Sequence, residues 1–385
     1  MAHATLPPSG AERWLNCTPS ARLEEQFPNV SGEAAAEGTL AHALGELILK
    51  RKLGLISRQK YKSELINIEK NSLYSSEMLG YADDYALFVV EQYNEAQAHT
   101  KDALILLEQK IDLTSFVPEG FGTGDAIIVA DRVMYLIDLK YGKGVEVSAE
   151  NNKQMMLYAL GALDKFDYLY GIDTVRMSIF QPRLNNYSGF EMPVAELRQW
   201  AKDDLIPKAK LAFAGEGEYI AGAHCKFCKA KAVCRANAEM NLQLAKYDFQ
   251  KEELLTDDEI ADVLMRASLF KSWINAVEEY ALEEAVKGKR WPGHKLVEGR
   301  SNRAYIDEKQ VADKLLQNGY QEDAIFTKKL LTITNMEKAI TKAKFNDLLN
   351  PLIVKPPGKP TLVPQSDKRP EYNSAEAAKQ DFQNI

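Results

Sequence analysis

The stretch that most constrains this chain is residues 122–144, GTGDAIIVADRVMYLIDLKYGKG. Two apolar runs, 126–130 and 133–137, flank Asp131-Arg132. Runs of this length around a short polar break read as a β-hairpin. If Asp131-Arg132 is the turn, pairing outward from Ala130 and Val133 sets Asp125 opposite Asp138. Directly paired residues point to one face of a sheet. Lys140, two residues beyond Asp138, shares that face. Two carboxylates and an ammonium then meet on one patch. Carboxylates suit a hard cation such as Mg²⁺ or Mn²⁺, which polarises a phosphate and acidifies a bound water. The lysine can orient that water and offset charge developing on phosphorus. Asp-Arg is not a favoured two-residue turn, however. A slip by one residue would carry Asp125 to the opposite face, leaving a surface hairpin with solvated charges.

Other residues bear on that choice. An amphipathic helix over 33–52 carries His42, with Glu46 four residues on along the same face. A second helix, over 149–163, carries Gln154 and Tyr158 on one face. Packing alone would account for either. A strand over 103–111 holds Glu108 inside an apolar run, which by itself reads as a glutamate on the solvated face. The four cysteines fall as Cys225-x₂-Cys228-x₅-Cys234 plus the distant Cys17. A zinc ribbon brings two CxxC pairs, and only one is present. Four thiolates also bind iron–sulfur clusters, so a [4Fe–4S] cluster, zinc and free thiols all stay open.

The order His42, Asp125, Asp138-Leu139-Lys140, Gln154-x₃-Tyr158 resembles the RecB-like exonucleases of the PD-(D/E)XK nuclease superfamily. The four-cysteine pattern resembles the iron–sulfur motif of the AddB-type branch. The opening LPPSGAERWLNCTPSARL and the later KLVEGRSNR resemble a phage-associated family of such nucleases. The resemblance implies an α/β fold with a central mixed sheet flanked by helices. It implies Mg²⁺ or Mn²⁺ held by His42, Asp125, Asp138 and the main-chain carbonyl of Leu139. Lys140 positions the attacking water, Gln154 and Tyr158 orient the strand, and Glu108 supports the metal site. Cys17, Cys225, Cys228 and Cys234 hold a structural [4Fe–4S] cluster, with zinc as the alternative.

The activity so implied is metal-dependent DNA exonuclease cleavage in phage recombination or replication. The alternatives are a structure-specific endonuclease and a catalytically silent nuclease fold that binds DNA or acts as a scaffold. The partners implied are DNA and a phage single-strand-binding, annealing or replication protein. The net charge of −7 counts against nonspecific coating of nucleic acid, though a local basic groove suffices for DNA. Lys140, Lys143 and the run Lys226, Lys229, Lys231, Arg235 could line one. No apolar run reaches the ~20 residues of a membrane span, and MAHATLPPSG lacks signal-peptide order, so a cytoplasmic location in a bacterial host is expected.

The pattern predicts a nuclease domain over 1–290, a small helical unit over 294–355 and an extended tail over 356–385. Ser9 and Glu12 read as a capping box, as do Asp307 with Gln310 and Thr334 with Glu337. Further helices are expected over 75–98, 193–214, 229–245 and 256–287, a strand over 175–181, and a polar connection or short helix over 55–75.

Overall fold

The computed structural model describes residues 4–29, 32–243, 255–297 and 307–319, with short pieces at 321–326, 333, 336, 342–349 and 352–353. The chain divides into two units, Met1–Lys289 and Arg290–Ile385. The first opens with α1 (Ala11–Asn16) and α2 (Ser20–Glu24), then α3 (Glu33–Lys52), α4 (Arg58–Glu69) and α5 (Ser76–His99). Strands β1 (Leu104–Asp112), β2 (Phe121–Ala130) and β3 (Val133–Leu139) follow. After α6 (Lys153–Tyr170) come β4 (Thr174–Gln181) and β5 (Asn186–Pro193). The unit closes with α7 (Val194–Trp200), α8 (Ile206–Ala214), α9 (Arg235–Leu242) and α10 (Asp257–Val286).

The five strands form one mixed sheet in the order β1-β2-β3-β4-β5. Neighbours are antiparallel except β3 and β4, which are parallel. A parallel join needs a crossover, and α6 supplies it. One face of the sheet packs on α3 and α5, the other on α6 with α1, α7 and α8. The sheet is therefore sandwiched, which suits the continuous apolar runs of β2 and β3. Ile127, Ile128 and Val129 are wholly buried. Each such side chain contributes about 1.5–3 kcal/mol of burial. Helix α6 approaches β1 closely because residue 161 is glycine. A Cβ there would lie 2.3 Å from Ile111 Cγ2 and 2.6 Å from the Asp112 carbonyl oxygen.

Several elements differ from expectation. The stretch over 55–75 contains a full helix, α4, capped by Ser57. β5 has no counterpart in the sequence reading. Its sequence, NYSGFEMP, holds a glycine and a proline, which an edge strand accommodates and an interior strand does not. The helix expected over 193–214 starts at Val194 and contains a π turn at Ala201–Leu205. Helix α6 begins at Lys153, where Asn152 accepts a hydrogen bond from the Met155 amide. Ser9 sits inside a 3₁₀ turn, Pro8–Gly10, and caps nothing; the cap position of α1 is Gly10. The segment before α9 turns through the cysteines instead of extending that helix.

In the second unit, Asp307 caps α11 (Glu308–Gln317) by accepting from the amides of Lys309 and Gln310. Short helices α12 (Glu322–Ile325) and α13 (Lys342–Leu349) follow. The tail over 356–385, the Thr334–Glu337 signal and most of KLVEGRSNR lie outside the described residues. Among the described residues no helix is long and apolar enough to cross a membrane.

Candidate functional site

The β2–β3 hairpin pairs Ala130 with Val133 and Ala126 with Ile137, so Asp131-Arg132 is its turn. Arg132 takes the left-handed conformation, φ 67°. Tertiary contacts compensate for a turn pair that is poor on local grounds. The Arg132 amide donates to the Tyr170 carbonyl at 3.1 Å, and its carbonyl accepts from the amides of Asp173 and Thr174. The Asp131 amide donates to Thr100 Oγ1 at 3.0 Å. The regular pairing ends at Ala126 and Ile137, and Asp125 and Asp138 lie one residue beyond it on their strands. Asp125 Oδ2 accepts from the Leu139 amide at 2.7 Å, across the hairpin.

Strand β1 brings the third acid. Its register with β2 runs from Leu104–Val129 to Asp112–Phe121 with one gap, at Glu108 opposite Asp125. Glu108 has φ 46°, a left-handed conformation inside a strand. Leu107 packs on the α3/α5 side and Ile111 on the α6 side, although residues four apart in a regular strand share a face. The strand thus turns over at Glu108. A non-glycine residue held there costs of order 1–3 kcal/mol and persists only where its surroundings dictate it.

On α3, His42 Nδ1 lies 3.2 Å from Asp125 Oδ1. Ligand atoms of His42, Glu108 and Asp125 all lie within 4.8 Å of one another. One imidazole nitrogen with carboxylate oxygens is a donor set for a divalent cation. Where the sequence predicts His42, Asp125, Asp138 and the Leu139 carbonyl as ligands, the trio that converges contains Glu108 instead of Asp138. Leu139 meets the site through its amide, as a donor to Asp125. The sequence signal for Glu108 is a lone glutamate in LILLEQKID, but its backbone reversal is not visible there.

Asp138 lies beside the trio and is 4 % exposed. Gln154 Nε2 donates to its Oδ1 at 3.1 Å. Lys140 Nζ stands 3.0 Å from Oδ2 but off the direction of a hydrogen bond, so Oδ2 keeps an unused lone pair. Lys140 instead donates to Gln154 Oε1 at 2.9 Å. Gln154 also donates to the Tyr158 hydroxyl at 3.3 Å. Tyr158 is buried, and a Cβ at Gly122 would lie 2.6 Å from its ring. Its phenol faces Gln154, so it holds the glutamine in place. Tyr85 Oη, on α5, is a second buried polar atom without a hydrogen-bond partner, and it feels the charges of Asp125, Asp138 and Glu108.

Crowded acids shift the titrations. Burial, then the charge of Asp125, pushes Glu108 up to about 7. Burial also raises Asp138, against the pull of Lys140. Burial disfavours a charged His42, but the hydrogen bond and charge of Asp125, with Asp138 and Glu108, outweigh it and raise the imidazole to about 9. Without a cation, the site therefore retains protons that a cation would displace.

The four cysteines are free thiols lining one small cavity with Arg13 and Lys231. Among the described residues, no three of their sulfurs lie within 4.8 Å of one another. Burial raises Cys17 and Cys225 and pushes Cys228 up to about 12. Around this cavity Glu24 accepts from Arg13 Nε at 2.8 Å and from the Lys229 amide at 2.7 Å. Thr18 Oγ1 donates to the Glu216 carbonyl and Arg22 Nε to that of Phe213. Helices α1 and α2 are thus tied to the 213–229 segment by polar bonds.

Residues 3–370 match the family described as "Protein of unknown function (DUF2800)", and the chain belongs to that family. A solved structure described as "Crystal structure of SSO0001" is similar at 14% identity over 57% of this chain and 95% of that one. Its TM-score of 0.21 carries no argument about fold or function.

Proposed function

We propose that this DUF2800 family member is a metal-dependent deoxyribonuclease with a PD-(D/E)XK, RecB-like core, acting as an exonuclease in phage recombination or replication. The observation that carries the reading is the convergence of His42, Glu108 and Asp125 beside the Asp138–Lys140–Gln154 network. His42, Glu108 and Asp125 would hold the cation, and the unused lone pair of Asp138 points to a further ligand or a bound water. A divalent cation supplies Lewis acidity to a phosphate oxygen and lowers the pKa of bound water. The chain's own residues do the rest. Gln154 fixes the Lys140 ammonium by a hydrogen bond, close to Asp138. From there the ammonium can orient a water and offset charge on a phosphate oxygen. Tyr158 keeps Gln154 from turning away.

The cysteine cavity fits the same reading. A single zinc ion, with Zn–S of about 2.3 Å, would draw its thiolates to roughly 3.8 Å of one another. Four thiols lining one cavity are a donor set of a [4Fe–4S] cluster, with zinc as the alternative. The cluster's role is structural.

The test is cleavage of end-labelled single- and double-stranded DNA by anaerobically purified protein, with Mg²⁺ and with Mn²⁺. Asp138→Ala and Lys140→Ala are expected to lose about 10²–10³-fold or more in rate, in line with loss of a preorganised charge-stabilising group, while keeping the wild-type circular dichroism. Undiminished cation-dependent cleavage by either variant would remove the assignment. Label released as mononucleotides marks an exonuclease, and internal fragments mark an endonuclease.

A further inference from the structure

Residues 142–147 join the site's lysine strand to the helix that carries Gln154. Their sequence, GKGVEV, reads as a flexible loop, and residues 142–146 are exposed. Yet one buried side chain grips the loop at three points. Gln181, at the end of β4 and 1 % exposed, donates through Nε2 to the carbonyls of Gly142 and Val145, each at 2.8 Å. Its Oε1 accepts from the Val147 amide at 3.1 Å and from Asn186 Nδ2 at 3.2 Å. Both donors and both lone pairs of the amide are thereby used. Asn186 Nδ2 also donates to the Val147 carbonyl at 2.9 Å, and Ser188 Oγ accepts from the Ala149 amide at 2.9 Å. Side chains of the β4–β5 turn thus replace the backbone ladder a neighbouring strand would provide.

We propose that Gln181 is a positioning residue that holds residues 142–147 in the shape that presents Lys143 to the phosphodiester backbone of the bound strand. The proposal rests on the nuclease reading. Three physical facts support it. A buried amide with every hydrogen bond made is rigid, and breaking any of them strands a buried polar group. The hydrogen bonds of the Gln181 side chain go to Gly142, Val145, Val147 and Asn186, so they act through the loop. The loop lies on the connection between β3 and α6, after Lys140 and before Gln154. A preordered loop also spares the strand the entropy of ordering it on binding.

The isosteric Gln181→Glu replaces both Nε2 donors with an oxygen facing two carbonyls. Asn186→Ala is the milder variant, removing two of the bonds while leaving Gln181 in place. Full-length protein is digested with trypsin, and the Lys143–Gly144 cut is identified by fragment mass. Gln181→Glu should be cut roughly tenfold faster at that bond, since cleavage follows the population of the open loop. Asn186→Ala should be cut faster by less, which guards against a misfolded Gln181→Glu. An unchanged rate in both variants overturns the holding role.

Strand engagement is read separately, as anisotropy of a labelled single-stranded oligonucleotide over a salt series in EDTA. Lys143→Ala should lower the slope of log affinity against log salt by about 0.7, the share of one phosphate contact on a single strand. In the Gln181→Glu background the same substitution should change nothing further, whereas a merely structural role for Gln181 would leave the two effects additive. Additive effects overturn the positioning role, and an unchanged wild-type slope on Lys143→Ala overturns strand engagement. Failure of the nuclease reading shows elsewhere, as retained cleavage by Asp138→Ala, and leaves the trypsin result intact.

Discussion

At the scale of single residues, the site is a contest between like charges and protons. Glu108 rises to about 7 and His42 to about 9, so both groups bind protons more tightly folded than unfolded. The sign follows from linkage. The part of stability owed to Glu108 is full below about 4.5 and is lost as pH rises through 7. The part owed to His42 is full below about 6.5 and is lost as pH rises through 9. Both act in one direction, so protein stripped of cations should melt at progressively lower temperature between pH 6 and pH 9. Cation ligands must be deprotonated, so Mn²⁺ should raise the melting temperature more at pH 8 than at pH 6. Asp125→Asn should abolish that difference. Differential scanning fluorimetry with and without Mn²⁺ checks both, and an equal rise at the two pH values would count against the His42–Glu108–Asp125 site.

At the scale of elements, α6 connects the fold to the chemistry. It closes the parallel crossover, packs on β1 and presents Gln154 to Lys140 from its first turn. Its seat on β1 depends on the missing side chain at Gly161. Gly161→Ala would force a methyl against Ile111 and the Asp112 backbone, and overpacking of this kind costs about 1–3 kcal/mol. The unfolding free energy should fall by that amount, read as a lower denaturation midpoint with an unchanged m-value. Any shift of α6 also moves Gln154, so Lys140 loses its partner and cleavage should drop further than the unfolded fraction explains.

At the scale of the molecule, the N-terminal helices close the first unit onto its last third. The proposed cysteine staple would be one tie among several. Glu24–Lys229, Thr18–Glu216 and Arg22–Phe213 bridge the same two segments without sulfur. If the proposed [4Fe–4S] cluster is bound, Cys17→Ser should lose its visible absorption, iron and sulfide and lower the melting temperature, while far-ultraviolet circular dichroism stays native because the polar ties remain. A Cys17→Ser protein that holds a full complement of iron and sulfide would remove Cys17 from the ligands. One zinc per chain in the wild type would transfer the cavity to zinc and leave the acidic site untouched.

Much of the fold was legible because its signals are local. Periodic apolar residues marked α3 and α5, and the two apolar runs marked β2 and β3 with their register. Capping at Asp307 set one helix start within a residue. The same register placed Asp125 beside Asp138, and helical spacing placed Gln154 with Tyr158. The remainder depended on contacts between distant segments. Strand β5 exists because a sheet edge tolerates glycine and proline that its own sequence makes poor strand formers. The Asp131-Arg132 turn holds because Tyr170, Asp173 and Thr100 satisfy its backbone. Glu108 joins His42 and Asp125 only because β1 turns over at that residue, at a cost the neighbouring strand and helices enforce. Residues 142–147 read as flexible from their glycines, yet Gln181, Asn186 and Ser188 bond them from another hairpin. Sequence alone determined which residues could do chemistry and on which elements they lie. Tertiary structure decided which of them meet, because hydrogen bonds, burial and backbone strain between distant segments set the final few ångströms.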